Sequence, residues 1–487
     1  MPLRGLPIVT QFMRNKIPNM GLAFVLSLNL FVAGCATLQP SETGNELLAS
    51  VAEIDITPPV GHRMAGYFDE RLATGTHDPL KAKAMVIEHG EKQIAMVFCD
   101  LVGISLNVSK KAREQASRKT GIPVSHILIS ATHSHTGPSF DDVRSKHFHD
   151  LAVAKFGKDP QEKIYYPDFL AKRIVKVIVE AQSKLRSAQL EVGIATQNNL
   201  AFNRRYHMKN GAVAFNPGQL NPNIVRAAGP TDPDVGMVLI RDAKQKLRGG
   251  LTVFAMHMDC IGGSDYSADY AYYLQKILRD ELGNNYVSAF AAGTSGDINH
   301  INVSVKEPVK GFAVAERLGG ALGKTVLANL SNAAPIKNPS LVVRSETIIA
   351  PLQEITPEKL ADAKSKINKL GDSSAAFFLK VEAVKTLDLA EKGTNWPMEV
   401  QVIRLDSDTA IVGLPCEIFV ELGLAIKAQS PFKKTIVISI ANDRPSYVPT
   451  KKAFTEGSYE VTNARVKPGV GEMLVETAVK LLHQAKK

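Results

Sequence analysis

His126-Ile127-Leu128-Ile129-Ser130-Ala131-Thr132-His133-Ser134-His135-Thr136-Gly137-Pro138 joins an apolar, strand-like run to two histidines at i and i+2 and closes in a Gly-Pro turn. Side chains alternate along a strand, so continued strand geometry sends both imidazoles out of one face. Two neutral imidazoles held side by side at a strand end suit a divalent cation, zinc above all. The same pair can also cap the strand and bond to backbone, and the motif alone leaves both readings open.

Around this stretch the chain reads as alternating strands and helices. Residues 93–99 form a strand candidate and about 107–120 a helix stopped by Gly121-Ile122-Pro123, before the strand 126–131. Strand, helix, strand with apolar strands is the unit of a sheet with helical cover. Further strands are expected at 51–56, closed by Thr57-Pro58-Pro59, and at 82–88, 190–195, 235–241, 251–256, 287–292, 398–405, 410–413 and 435–440. Helices are expected at 170–187, 271–282, 314–330 and about 471–484, and residues 356–392 read as two charged helices joined near Gly371-Asp372, forming a flap. His133, His257, Asp297, Glu417 and Tyr447 each follow an apolar strand. Polar groups of α/β proteins gather where strands end, so these five either converge on one site or are dispersed over several loops.

With 487 residues, 45% hydrophobic and 22% charged, the chain has a large core, and disordered and collagen-like classes are excluded. Its first residues carry Arg14 and Lys16, then an apolar run over 22–32 broken by Ser27 and Asn29, then Val32-Ala33-Gly34-Cys35. The run is short for a membrane span, and its order is that of a bacterial lipoprotein signal in which Cys35 becomes the lipidated first residue. An ordinary cleaved signal or an uncleaved anchor is the other reading, and Met13 is an alternative start. Ala36 fits sorting to the outer membrane. The expected plan is a signal over 1–34, a lipidated cysteine and polar linker over 35–50, and one large catalytic domain over 51–487. The protein is then lipid-anchored in the cell envelope and faces the periplasm.

The formal charge is +10, and residues 1–34 hold Arg4, Arg14 and Lys16 without an acidic residue, so +7 remains beyond them. That balance suits anionic headgroups or is a solvated face, and no basic run interleaved with aromatics argues for nucleic acid. Cys99, Cys260 and Cys416 make no disulfide framework and are expected to be small buried hydrophobes, with one pair open to oxidation. No obligate protein partner is evident.

Several motifs in order resemble the neutral, non-lysosomal ceramidases, zinc amidases that split N-acyl sphingosine. They are Ile54-Asp55-Ile56-Thr57 with Met64-Ala65-Gly66-Tyr67, Gly75-Thr76-His77, Ala131 to Pro138, Asn203-Arg204, Phe254-Ala255-Met256-His257 with Ser267-Ala268-Asp269, Ser295-Gly296-Asp297, Leu414-Pro415-Cys416-Glu417, and Asn442 and Tyr447 with Gly457-Ser458-Tyr459-Glu460. The resemblance implies an α/β fold of two central mixed sheets flanked by helices, a four-layer αββα arrangement. It implies one zinc ion held by His133, His257, Glu417 and Tyr447. His135 then stays off the metal as proton donor or substrate clamp, and Arg204 lies in the pocket, its fork on the amide oxygen or a headgroup. Asp297 orients a histidine or a loop. Tyrosine is an unusual ligand, whose phenol must be acidified by the metal or bound loosely.

Two departures qualify the implied chemistry. Where the ceramidases carry a serine after the Gly-Asp step, this chain reads Gly296-Asp297-Ile298-Asn299-His300. Asn299 cannot form an acyl-enzyme, which leaves a metal-activated water as nucleophile and Asn299 as an oxyanion donor. His300 adds an ionisable group without an assigned role. The ceramidases also continue into a C-terminal β-sandwich domain, and the expectation here is the catalytic domain without it. The expected activity is hydrolysis of N-acylated lipids or small amides. The alternatives are deacylation of N-acyl amino acids or amino sugars, ester hydrolysis, and a non-catalytic binding lipoprotein.

Overall fold

A strand such as Ile94-Ala95-Met96-Val97-Phe98-Cys99, apolar at every position, needs cover on both faces. The computed structural model, which describes residues 46–372, 374–444 and 446–487, provides that cover in four layers. The first sheet holds β1 (Leu47–Asp55), β2 (Lys81–His89), β3 (Lys92–Cys99), β4 (Ile127–Ala131), β5 (Arg186–Thr196), β6 (Asp234–Asp242), β7 (Leu247–Phe254) and β8 (Val287–Ala292). Their spatial order is β8-β7-β6-β5-β1-β2-β3-β4, and Ala334–Pro335 adds a short strand beside β5. The second sheet is β9 (Val342–Pro351), β10 (Asn395–Arg404), β11 (Thr409–Gly413) and β12 (Lys434–Ile438), in that order. Both sheets are mixed: β3–β4, β7–β8 and β11–β12 are parallel, and the other neighbours are antiparallel.

Helices form the outer layers: α1 (Leu106–Thr120), α2 (Val143–Phe156), α3 (Tyr166–Ser183), α4 (Tyr270–Leu282), α5 (Phe312–Ala328), α6 (Pro357–Lys366), α7 (Phe377–Lys392), α8 (Val420–Gln429) and α9 (Val470–Lys486). Alternation along β3 sends Ile94, Met96 and Phe98 between the sheets, where they join Ile411, Ile436 and Ile438 of the second sheet. Ala95, Val97 and Cys99 point the other way, to Ala112 of α1 and Ile174 and Ile178 of α3. Val402 and Val412 face Leu474 and Leu481 of α9, which closes the far side. Each fully buried side chain of this size contributes roughly 1.5–3 kcal/mol of transfer free energy. The architecture is the αββα stack expected.

Differences from the sequence reading have local causes. The third helix ends at Ser183 rather than continuing to 187, because β5 begins at Arg186 and pairs along its length with β6. β9 and α8 have no counterpart in that reading. β9 is an edge strand paired only with β10 and mostly half-exposed, so it lacks a continuous apolar run. In α8, Gly423 interrupts a helical pattern because a Cβ there would lie 2.0 Å from Thr294 Oγ1. The segment 356–392 is a packed wall: Val384 and Leu387 of α7 pack with Ile367 and Leu370 onto Val143, Phe148 and Phe68. Cys99, Cys260 and Cys416 are free, buried thiols. The expected signal, Cys35 and the linker up to residue 45 lie outside the described residues. Among the described residues no helix is long and apolar enough to cross a membrane.

The α4–α5 crossing depends on one of two adjacent glycines. A Cβ on Gly319 would sit 2.3 Å from Tyr270 O and 2.8 Å from Leu274 N, whereas one on Gly320 would meet nothing within 4 Å. Gly319→Ala is therefore expected to destabilise the fold by about 1–3 kcal/mol, as overpacking does. Gly320→Ala should stabilise it by about 0.5–1 kcal/mol through lower chain entropy in the unfolded state. Urea midpoints measure both, and similar midpoints for the two variants would mean the helices do not cross at Gly319.

Candidate metal centre

His133 does not stand on the strand that leads to it. β4 ends at Ala131, and the chain turns with His133 at φ +74°, its N–H donating to Leu101 O at 2.9 Å. A left-handed turn at a non-glycine residue costs about 1–3 kcal/mol and persists only where its surroundings enforce it. The expectation that strand alternation aligns the two histidines is thus corrected: the turn aligns them. His135 is anchored by its N–H to Met258 O at 3.2 Å, and its Nε2 comes to 3.3 Å from His133 Nε2.

The remaining side chains arrive from other strand ends. His257 follows β7, its N–H bonded to Ile298 O at 3.1 Å. Glu417 follows β11 through Cys416, which is also left-handed at φ +73°. Glu417 and Tyr447 then pair directly in a short parallel ladder, Glu417–Ile418 beside Tyr447–Val448, which fixes them side by side. Strands from both sheets therefore contribute.

His133 Nε2 lies 2.9 Å from His257 Nε2, and Glu417 Oε2 lies 3.3 Å from the first and 3.7 Å from the second. His133 Nδ1 donates to Val102 O at 2.8 Å and His257 Nδ1 to Ser295 O at 3.3 Å. A carbonyl only accepts, so each ring proton sits on Nδ1 and the two Nε2 lone pairs face one another. Burial, with Arg204 and the neighbouring imidazoles, holds His257 well below the usual histidine range, so a shared proton is disfavoured. Glu417 Oε2 is buried without a hydrogen-bond donor. Burial would raise Glu417, but its charged surroundings, the Arg204 guanidinium among them, outweigh it and hold the carboxylate below its usual range. Two facing lone pairs and an unsatisfied carboxylate oxygen fit one divalent cation, and nitrogen and oxygen donors are ordinary for zinc.

His135 belongs to the same cluster. The ligand atoms of His133, His135 and His257 all lie within 4.8 Å of one another, so proximity alone does not set His135 apart from the other two. Its Nδ1 is buried without a hydrogen-bond partner, 3.8 Å from Asp259 Oδ1. Burial pushes its pKa down to about 3 against the opposing pull of Asp259, so the ring is neutral at pH 7. Burial, followed by the Glu417 charge, pushes the Tyr447 phenol well above the usual range, against the opposing pull of Arg204.

Two residues occupy settings other than those expected. Arg204 is buried, with Nε donating to Glu460 Oε1 at 2.8 Å and a terminal nitrogen to Gly296 O at 2.7 Å, beneath the Tyr447 and Tyr459 rings. Its fork is thus engaged with Glu460 and Gly296 instead of lying open for an amide oxygen. Asn299 spends its amide N–H on Asn216 Oδ1 at 2.9 Å and its carbonyl on Ile301 N at 3.0 Å, and it does not line the cleft. Asp297 takes the second of the two roles expected for it and orients loops: Oδ1 accepts Val420 N at the start of α8 and Oδ2 accepts Asn203 Nδ2, each at 2.8 Å. Burial raises its pKa to about 6. His300 Nε2 donates to Val309 O at 2.7 Å, away from the centre. Sequence reasoning missed Asp259 and the carbonyls of Val102 and Ser295; main-chain acceptors leave no residue-type signal.

The centre opens into a cleft of about 640 Å³, with His133, His135, Glu417 and Tyr447 among its lining residues. Arg144 and Arg444 flank Asp142 on one wall, and Asp388 and Lys392 lie on another. Burial would raise Asp142, but the two guanidiniums bring it down to about 2.

A sequence model described as "Neutral/alkaline non-lysosomal ceramidase, N-terminal" matches residues 48–305, which include His133 and His257. The neutral ceramidase of Pseudomonas aeruginosa is 22% identical over 460 residues, covering 82% of this chain and 66% of that protein. The chain thus spans somewhat less than two thirds of that relative. The crystal structure of neutral ceramidase from P. aeruginosa superposes with a TM-score of 0.68 at 19% identity, over 91% of this chain and 75% of that one. A structure described as "Ceramidase complexed with C2" gives a TM-score of 0.67 at 18% identity, over 90% and 76%. With the αββα fold, the matched span and the shared motifs in order, the chain belongs to the neutral/alkaline non-lysosomal ceramidase family.

Proposed function

We propose that the protein is a zinc-dependent hydrolase that cleaves the amide bond of N-acylated lipids, releasing a fatty acid and a sphingoid-type amine. The main support is the meeting of His133 Nε2, His257 Nε2 and Glu417 Oε2, all without a proton between them, beside a cleft in a member of this family. The ceramidase names of its relatives point to the substrate class. The same proposal tethers the domain to the periplasmic side of the envelope through Cys35, supported by the order of basic, apolar and small residues over 14–35.

His133, His257 and Glu417 would hold the ion, with Tyr447 beside Glu417. Zinc supplies a Lewis acid that activates water and polarises a carbonyl. The Val102 and Ser295 carbonyls fix the two tautomers, so both lone pairs stay aimed inward. The short ladder keeps Tyr447 beside Glu417, and Arg204, braced by Glu460, lies under its ring. Neutral His135 takes a proton at Nε2 and returns it to the leaving amine. Asn299, committed to Asn216, has no part in this scheme.

The charged walls favour a second reading, in which the acylated amine carries a polar group, as in N-acyl amino acids or amino sugars. A panel of N-acyl sphingoid bases, N-acyl amino acids, acyl amino sugars and simple esters distinguishes the two. Release of fatty acid from N-acyl sphingosine is the expected result; turnover of the small amides alone would sink the lipid reading.

Metal content tests the site directly. Purified protein should hold about one zinc per chain, and His133→Ala should hold less than about a tenth of that. His135→Ala should keep its zinc while kcat falls by about 10²–10⁴, the usual worth of a positioned proton carrier. Loss of zinc from His135→Ala would make His135 a ligand instead.

A further inference from the structure

Tyr447 is the inner end of a row of aromatic rings that leads from the centre to the surface. Its ring lies 5.5 Å, centre to centre, from that of Tyr459, and Tyr459 lies 5.4 Å from Phe377. Phe377 in turn meets Phe68 edge to face at 5.6 Å and Phe378 at 5.5 Å. Tyr447, Tyr459 and Phe68 line the cleft, so Phe377, packed against two of them, stands on its rim. Phe377 and Phe378 open α7 and are 45% and 47% exposed, although Val381, one turn later, is fully buried. Lys380 is also buried and pairs with Asp69, next to Phe68, which ties the start of α7 to the Phe68 loop. Single exposed apolar side chains are ordinary, but an exposed pair that continues the lining of a cleft marks a ligand surface.

The cleft has two kinds of wall, and they meet at Phe68. The Arg144 guanidinium lies 5.6 Å over the Phe68 ring, and Asp142 and Arg444 follow on that side, with Asp388 and Lys392 on another. Hydrocarbon laid on those walls strips water from ionised groups and returns no hydrogen bond. On the aromatic row it meets no such cost, and each methylene buried strengthens binding about fourfold. A substrate whose amide is held beside His133 and Glu417 therefore finds an apolar way out past Tyr459 and Phe377. We infer that this row carries the hydrocarbon chain of an N-acylated substrate and that Phe377 sets the preference for chain length. The inference rests on the hydrolase reading above and names the part of the site that recognises the chain.

Two series of water-soluble amides, used below their micelle concentrations, test this: acyl groups from acetyl to octanoyl on one small amine, and amines of the same range of lengths on one acetyl group. Wild-type kcat/KM should rise with length in one series, and that series tells which chain lies on the row. Phe377→Ser should lower the long-to-short ratio of kcat/KM by about tenfold in that series, the worth of one or two methylenes. Phe377→Leu, still apolar, should keep most of the ratio, and melting temperatures close to wild type would show that both variants fold. A fall in Phe377→Leu as large as in Phe377→Ser would place the effect in helix packing and overturn the inference. Calorimetric binding of dodecanoate and butanoate gives a readout without turnover. If no form hydrolyses any amide but Phe377→Ser still lowers the dodecanoate-to-butanoate affinity ratio about tenfold, the reaction assignment fails and the aromatic row stands. Long-to-short ratios equal in wild type and Phe377→Ser, by turnover in both series or, where no amide is cleaved, by binding, would overturn the row.

Discussion

Two imidazole nitrogens, His133 Nε2 and His257 Nε2, face each other at 2.9 Å with their ring protons committed elsewhere. Lone pairs at that distance repel, the more so in surroundings of low dielectric. The pair is tolerable only with a positive charge between it, and much of the surrounding structure holds it in place. The Val102 carbonyl fixes one ring, and Val102 lies in the loop between β3 and α1, so the first strand–helix–strand unit is what aims His133. The Ser295 carbonyl fixes the other ring from the loop after β8. Glu417 reaches the same point from the second sheet, whose position is set by the isoleucine and phenylalanine layer between the sheets.

Backbone strain is concentrated around this point. His133, Cys416, Ile440 and Asn442 all have φ between +55° and +74°, and none is glycine. Ile440 is a β-branched residue for which that region is especially unfavourable. Asn442 shows how the strain is held: its Oδ1 accepts Ile129 N at 2.9 Å and its backbone N–H donates to Ile129 O at 2.7 Å. The strand that leads to His133 is thereby stapled to the segment that leads to Tyr447. The two strand ends cannot shift independently, which is the rigidity a fixed ligand geometry requires.

Much of the fold was legible because its strands are buried on both faces and its helices carry clear stops. The strand 287–292 matches β8 residue for residue, and Gly121 marks the end of α1 as expected. What was not legible has physical reasons. α2 lacks a sustained apolar stripe because its second half is out in solvent, and β9 alternates only weakly at a sheet edge. Histidine, glutamate and tyrosine after apolar strands were visible as candidates, but their meeting depends on a left-handed turn at His133 that periodicity cannot encode. The family resemblance put Arg204 in the pocket, and Asn299 was read as an oxyanion donor. Their partners, Glu460 and Asn216, come from segments remote in sequence that no spacing argument could attach to them.

The span matched to the family's N-terminal region ends at residue 305, while Glu417 and Tyr447 lie more than a hundred residues later, in the short ladder that follows strands of the second sheet. A segment that looks like a self-contained unit of inheritance therefore carries only half of the donor set. Recombination that exchanged either half between relatives would have to preserve both the inter-sheet layer and the Asn442 staple for the donors to meet.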